Sequence, residues 1–358
     1  MIKIINSKNI KNKAKAVMPC LIITAIFSGL FIYSKECKNG IVNGLIICVS
    51  NLVPSLFLYM ILASYISGSK ISLYIGAILG KPVTKLLKLP KSSASAILLS
   101  LIGGYPVGAK CVANAYKNNL LTKSQAKKLS LITVSSGTGF TLNFVALSLY
   151  NNKKIGIILL VSQILAYIIT ATLICVFVKC DDSIEVSNNR QIKHTDFTSA
   201  VFDGCVATLN MCAMVIVFSA LVCVCEKILH NTPHIKDIII LTLEVTTACT
   251  KLYTKYPIYA ISFAMGFSGL CIHFQIFSIL KDIGINKMLF FFFRIIQGIC
   301  SACLTYILLI FFPVTVDVFS SVDITTPEFS STVTGGMALI LTSVCFLNSI
   351  NISNLKRR

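Results

Sequence analysis

The chain has 358 residues, 55% of them hydrophobic and only 13% charged, with a mean hydropathy of +0.82. An ordinary soluble domain carries about 25% charged residues, and a disordered chain would be poor in apolar ones; both are excluded. Lys and Arg number 32 against 13 Asp and Glu, a net charge of +19.

The basic residues punctuate the apolar runs. Lys3, Lys8, Lys11, Lys13 and Lys15 precede the first run, Lys81, Lys85, Lys88 and Lys91 separate two others, and Lys356, Arg357 and Arg358 close the chain. That distribution marks cytoplasmic loops facing anionic lipid. A nucleic-acid partner would require one compact basic face on a soluble module. Membrane lipid is therefore an expected partner and nucleic acid is not.

Residues 1–16 read as a basic cytoplasmic N-terminus. Stretches free of Asp, Glu, Lys and Arg follow at 17–33, 41–69, 92–109, 129–152, 155–178, 204–225, 256–280, 295–316 and 333–350. Crossing 30 Å of hydrocarbon takes about 20 helical residues. The pattern predicts an all-α polytopic membrane protein with about eight to ten membrane-inserted helices. No period-two alternation recurs, which argues against a β-barrel. Ser34, Lys35 and Glu36 follow the first run without a small-residue cleavage pattern, so an uncleaved first span is expected. Basic termini at both ends favour an even number of crossings. The hydrophilic interruption 179–198, with Asp181, Asp182, Glu185, Arg190, Lys193, His194 and Asp196, reads as a linker between two membrane halves, 17–178 and 199–350. A basic tail, 351–358, ends the chain.

The 15 cysteines are scattered. Cys48, Cys175, Cys212, Cys223 and Cys271 lie in apolar runs, where a thiol behaves as a small hydrophobe. Cys300 and Cys303 form a CxxC with no second pair and no nearby His, and read as packing residues rather than a metal site. No metal and no cofactor are expected.

Breaks in the apolar runs are more informative. LIGGYPVGAK at 101–110 places Gly103, Gly104, Pro106 and Gly108 in close succession, which disrupts a helix. At membrane depth, broken backbone survives where protein or a water-filled cavity satisfies the freed groups. Transporters place substrate at such breaks; the alternatives are a packing kink or a tight turn. A second break falls at 135–139, where Ser135 and Ser136 either bind solute or back-bond to helix carbonyls. Sliding the chain by 165 positions lays Gly104 on Gly269 and Lys110 on Gln275, and pairs helix starts at Thr122 and Asn286. With the central linker, this points to a two-repeat, inverted, transporter-like architecture.

Polar residues inside the apolar halves are few. Glu244 and Arg294 suggest an intramembrane pair, serving either structure or coupling. His273 and Gln275 lie in the second broken segment, and Lys110 follows the first. There is no phosphate loop, HExxH or Gly-x-Ser-x-Gly elbow, so no enzyme is expected.

GGYPVGAK at 103–110, LTKSQAKKL at 121–129 and the Ser-Gly break after it resemble the YlbJ-type sporulation integral membrane proteins. NLVPSLF at 51–57, LEVTT at 243–247, SGLCIHFQ at 268–275 and the region from Arg294 to Gln297 fit the same pattern in order. The resemblance covers residues 40–312. It departs at 135–138, which lacks the Asn and Pro usual there, at Ser268 in place of Gly, and at Ala248. It implies a nucleoside-recognition (Gate) domain, a cell-membrane location in the mother cell or forespore, and a role in building the spore envelope and cortex.

The reading that follows is a sporulation protein that moves or senses a small solute. Its substrate-site candidates are Gly103, Gly104, Tyr105, Pro106, Lys110, Ser135, Ser136, Gly269, His273 and Gln275, with Glu244 and Arg294 as coupling charges. The solute is unknown, and a homo-oligomer is compatible with the pattern. The alternative is a membrane scaffold for spore assembly that carries nothing.

Overall fold

Every regular element among the described residues is helical, as the apolar runs require. The computed structural model describes residues 24, 28–29, 31–178, 180 and 196–314. The expected basic N-terminus, most of the first span and of the linker, the run at 333–350 and the C-terminal tail lie outside them.

Helix α1 (Ser34–Ile47) passes through one π turn, Cys48–Leu52, into α2 (Val53–Ser67). The two arms bend by 64°. Pro54, near the start of α2, has no amide to give the preceding turn, which is where a kink is expected. Helix α3 (Ile71–Leu87) ends at Lys88, whose left-handed φ of 51° stops the helix ahead of Pro90.

Next come α4 (Ser93–Gly103), α5 (Tyr105–Lys117) and α6 (Lys123–Ile132). Thr122 and Gln125 start α6 with a reciprocal capping box. A π-helix, Gly139–Leu149, and α7 (Lys153–Phe177) complete the first half. The second half holds α8 (Phe197–Ile228), α9 (Pro233–Leu243), α10 (Val245–Leu252), α11 (Ile258–Phe267), α12 (Gly269–Ile279) and α13 (Lys287–Phe311).

Among the described residues, four segments are long and apolar enough to cross a bilayer: α7, α8, the run Ile258–Ile279 and α13; the bent pair α1–α2 makes a fifth. The uncharged stretches 92–109 and 129–152 do not form spans of their own. The first is divided between α4 and α5, and the second runs from the end of α6 across a break into the π-helix.

Burial is arranged for lipid rather than water. Ile78 is 76% exposed, Met288 78% and Phe311 72%, while Glu244 is 0% and Arg294 1% exposed. Outward apolar side chains around a core that contains charges suit hydrocarbon surroundings.

The order of elements recurs between the two halves. In the first half a helix (α4), a break at Gly104, two helices (α5, α6), a second break, the π-helix and a 25-residue helix (α7) follow one another. In the second half the same order is α9, a break at Glu244, α10, α11, a break at Ser268, α12 and the 25-residue α13. Asn152 caps α7 and Asn286 caps α13, 134 positions apart. In this order Gly269 stands where Gly137 stands and Glu244 where Gly104 stands, whereas the slide of 165 lays Gly104 on Gly269. Thr122 and Asn286 do start helices, but helices in different places in the order.

Candidate site at the paired helix breaks

The four breaks meet in pairs. Gly104 has a φ of 91° and Gly137 a φ of 44°, conformations a side chain disfavours. A Cβ on Gly137 would lie 2.7 Å from both the Cα and the amide nitrogen of Gly104. The first pair is thus backbone against backbone. In the second half a Cβ on Gly269 (φ 71°) would come within 3.1 Å of the Val245 amide nitrogen and 3.4 Å of the Glu244 Cα.

Glu244 makes its break without Gly or Pro. Its Oε1 accepts from the Thr246 amide at 2.9 Å and its Oε2 from the Thr247 amide at 2.5 Å. The carboxylate thereby caps α10, where orphan amides and the helix dipole favour negative charge. The N-termini of α5 and α12 have no side-chain cap.

Arg294 does not pair with Glu244, contrary to the expectation from sequence. Among the described residues the ion pairs within 4 Å are Lys251–Glu226 and Lys255–Asp237. Arg294 crosses instead to the carbonyl end of α6: Nη1 donates to Val134 O at 2.7 Å and Nη2 to Leu131 O at 2.9 Å. Gln297 Nε2 reaches the same Val134 oxygen at 3.2 Å. A guanidinium fork suits two carbonyls at a helix C-terminus. Each charge is met by backbone, so neither needs the other.

Tyr105 makes the opposite crossing, its hydroxyl donating to Met265 O near the end of α11 at 2.5 Å. Deeper in the core, Gln163 Nε2 donates to Ser262 O at 3.0 Å, and Thr305 shares hydrogen bonds with Ser162 and Ser262. Gln163 and Gln297 each lie ten residues beyond the start of their 25-residue helix. Each reaches an element of the other half.

Of the expected site residues, Gly103, Gly104, Tyr105 and Pro106 lie at the junction of α4 and α5, and Ser135 and Ser136 in the break after α6. Ser136 Oγ is 3.2 Å from Thr141 Oγ1, a local bond across the break. Gln275 is buried on α12, with Nε2 donating to Cys271 Sγ. His273 is set apart from these contacts. Its Nε2 lies 2.8 Å from Phe267 O, and its ring meets those of Phe267, Phe290 and Phe291 edge-on, a packing environment. Lys110 is half-buried on α5 and makes no ion pair within 4 Å among the described residues. Cys300 and Cys303 are unpaired thiols on α13.

Several buried polar atoms have no hydrogen-bond partner: Thr247 Oγ1 and Gln275 Oε1, on helices that begin at a break, and Gln297 Oε1 and Arg294 Nε, whose side chains reach Val134 in the break after α6. Such atoms are costly unless something satisfies them. Thr247 was not among the residues selected from sequence; the signal available was its place three residues after the acid of LEVTT.

The structure defines an all-α, multi-pass membrane protein whose core holds broken helices meeting in pairs. No family model matches the chain, and no solved structure matches it. The chain is similar to the Sporulation integral membrane protein YlbJ of Bacillus subtilis (strain 168), with 23% identity over 299 residues, 71% of this chain and 73% of that protein.

Proposed function

We propose that the protein is a non-enzymatic sporulation membrane protein that moves or senses a small solute at the paired breaks. The observation that carries this reading is the set of unpartnered buried polar atoms beside backbone breaks. Uncapped N-termini of α5 and α12 add amide donors of the kind that hold anionic or hydrogen-bond-rich solutes in transporters. The recurring element order supports two repeats, which an alternating-access device would tilt against one another. The likeness to YlbJ supports the sporulation setting, and with it a place in the mother-cell or forespore membrane and a role in envelope and cortex formation. A nucleoside-recognition (Gate) domain belongs to the same proposal.

One observation favours the scaffold reading instead. Glu244, Arg294 and Tyr105 all have backbone partners inside the protein, which packing alone would require. Complementation separates the two. A Bacillus subtilis strain lacking YlbJ and expressing this chain should recover heat-resistant spores. Glu244→Gln and Lys110→Ala should fail to restore them while accumulating normally in the membrane. Full complementation by both would exclude the solute site as drawn.

A further inference from the structure

A second site lies where α9, α11 and the 253–257 loop meet. A half-open cavity of about 180 Å³ lies there, with Leu252 and Ile261 deeply buried and Leu241 and Ala260 beside them. Ile238, also on its lining, is 64% exposed. Ile235, one turn earlier on α9, is 52% exposed, so this face of the helix is apolar and outward.

One acid lines this apolar space. Asp237 is 7% exposed. Its Oδ2 accepts from the Tyr256 hydroxyl at 3.1 Å, but its Oδ1 is buried with no hydrogen-bond partner. Lys255 Nζ stands 3.8 Å from that oxygen, beyond hydrogen-bond range, on a side chain that is 53% exposed. The neighbouring pair is different: Lys251 Nζ meets Glu226 at 2.5 Å. Asp237 thus has a loose cation beside it and an acceptor to spare.

The residues around the site suit a membrane surface. Tyr253, Tyr256 and Tyr259 fall within seven residues of one another, Lys227, Lys236 and Lys251 lie near the ends of α8, α9 and α10, and Lys255 is in the loop between α10 and α11. Aromatic and basic residues concentrate at the headgroup level. The occupant that complements these features has an apolar body, a charged N–H donor for Asp237 and an anionic group for Lys255. It would enter from the lipid side, beside Ile238.

We propose that this pocket holds the headgroup of a zwitterionic phospholipid carrying a primary ammonium. The ammonium donates to Asp237 Oδ1, the phosphate pairs with Lys255, and the start of an acyl chain lies along Ile238, Leu241 and Ala260. The site is separate from the paired breaks and does not depend on what they do.

Retention of lipid by the purified full-length protein tests this. The protein is equilibrated with equal amounts of phosphatidylethanolamine, phosphatidylcholine and phosphatidylglycerol, and bound lipid is read by native mass spectrometry. Wild-type protein should retain phosphatidylethanolamine at least about fivefold over phosphatidylcholine, which has the same phosphate but no N–H to donate. Asp237→Asn should reduce that preference to within about twofold, and Ala260→Phe should remove bound phosphatidylethanolamine by filling the cavity. Equal retention of the two zwitterionic lipids by wild type would overturn the proposal, and that comparison needs no variant to fold. A preference unchanged in Asp237→Asn would overturn it as well.

Discussion

At Thr247 and Gln275 the solute-site and scaffold readings part company. Thr247 Oγ1 and Gln275 Oε1 are buried without partners, and such atoms destabilise a protein that does not use them. Thr247→Val keeps the shape of the side chain and removes the unsatisfied oxygen. It is expected to hold or raise the thermal midpoint in detergent while abolishing complementation; a variant that restores spores fully would assign the oxygen to packing. Arg294 acts on another scale of energy, because it satisfies two backbone carbonyls 160 and 163 positions away. Arg294→Leu should cost about 1–3 kcal/mol for the Leu131 carbonyl it leaves unpaired, since Gln297 still reaches Val134 O. Arg294→Lys should recover only part of that loss, since one ammonium cannot reproduce the fork. A midpoint equal to wild type in both variants would contradict the clamp.

Among elements, the breaks with a backbone cause were legible. Gly103, Gly104 and Pro106 end one helix and start another where the sequence indicated, and the Ser-Gly segment at 135–139 does the same. Ser268–Gly269 follows, with both residues at positive φ. The break at Glu244 was not legible as a break. No Gly or Pro marks it, and a glutamate ahead of three β-branched or apolar residues reads equally well as helix interior; only its two amide contacts reveal a cap. The pairing of breaks was hidden for a different reason. It depends on contacts between elements far apart in the chain, and a search by residue identity preferred matching glycines to matching positions. The caps Asn152 and Asn286 stand at the same place in the two orders of elements. The contact between Gly104 and Gly137 carries its own test: Gly137→Ala forces a Cβ into backbone at a φ of 44°. That substitution should cost about 2 kcal/mol or more and lower the amount of folded protein in the membrane. Accumulation at the wild-type level would mean that the two breaks can separate without penalty.

At the scale of the whole molecule, composition made the membrane class readable and left the direction of the polar residues unreadable. Apolar side chains face outward and Arg294, Glu244, Gln163 and Gln297 face inward, so the scarce polar residues join the halves. Tyr105 and Gln163 reach from the first half to the second, and Arg294 and Gln297 reach back. The two halves also pack closely, α1 and α2 against α8 and α7 against α13. A solute path between them is most directly tested by flux. Proteoliposomes containing wild-type protein, the Thr247→Val variant or no protein are loaded with an extract of sporulating cells, and their contents are compared by untargeted mass spectrometry after external washing. At least one low-mass solute should exchange across membranes with wild-type protein and be retained by both the variant and empty vesicles. Identical contents in all three would contradict solute movement at the paired breaks.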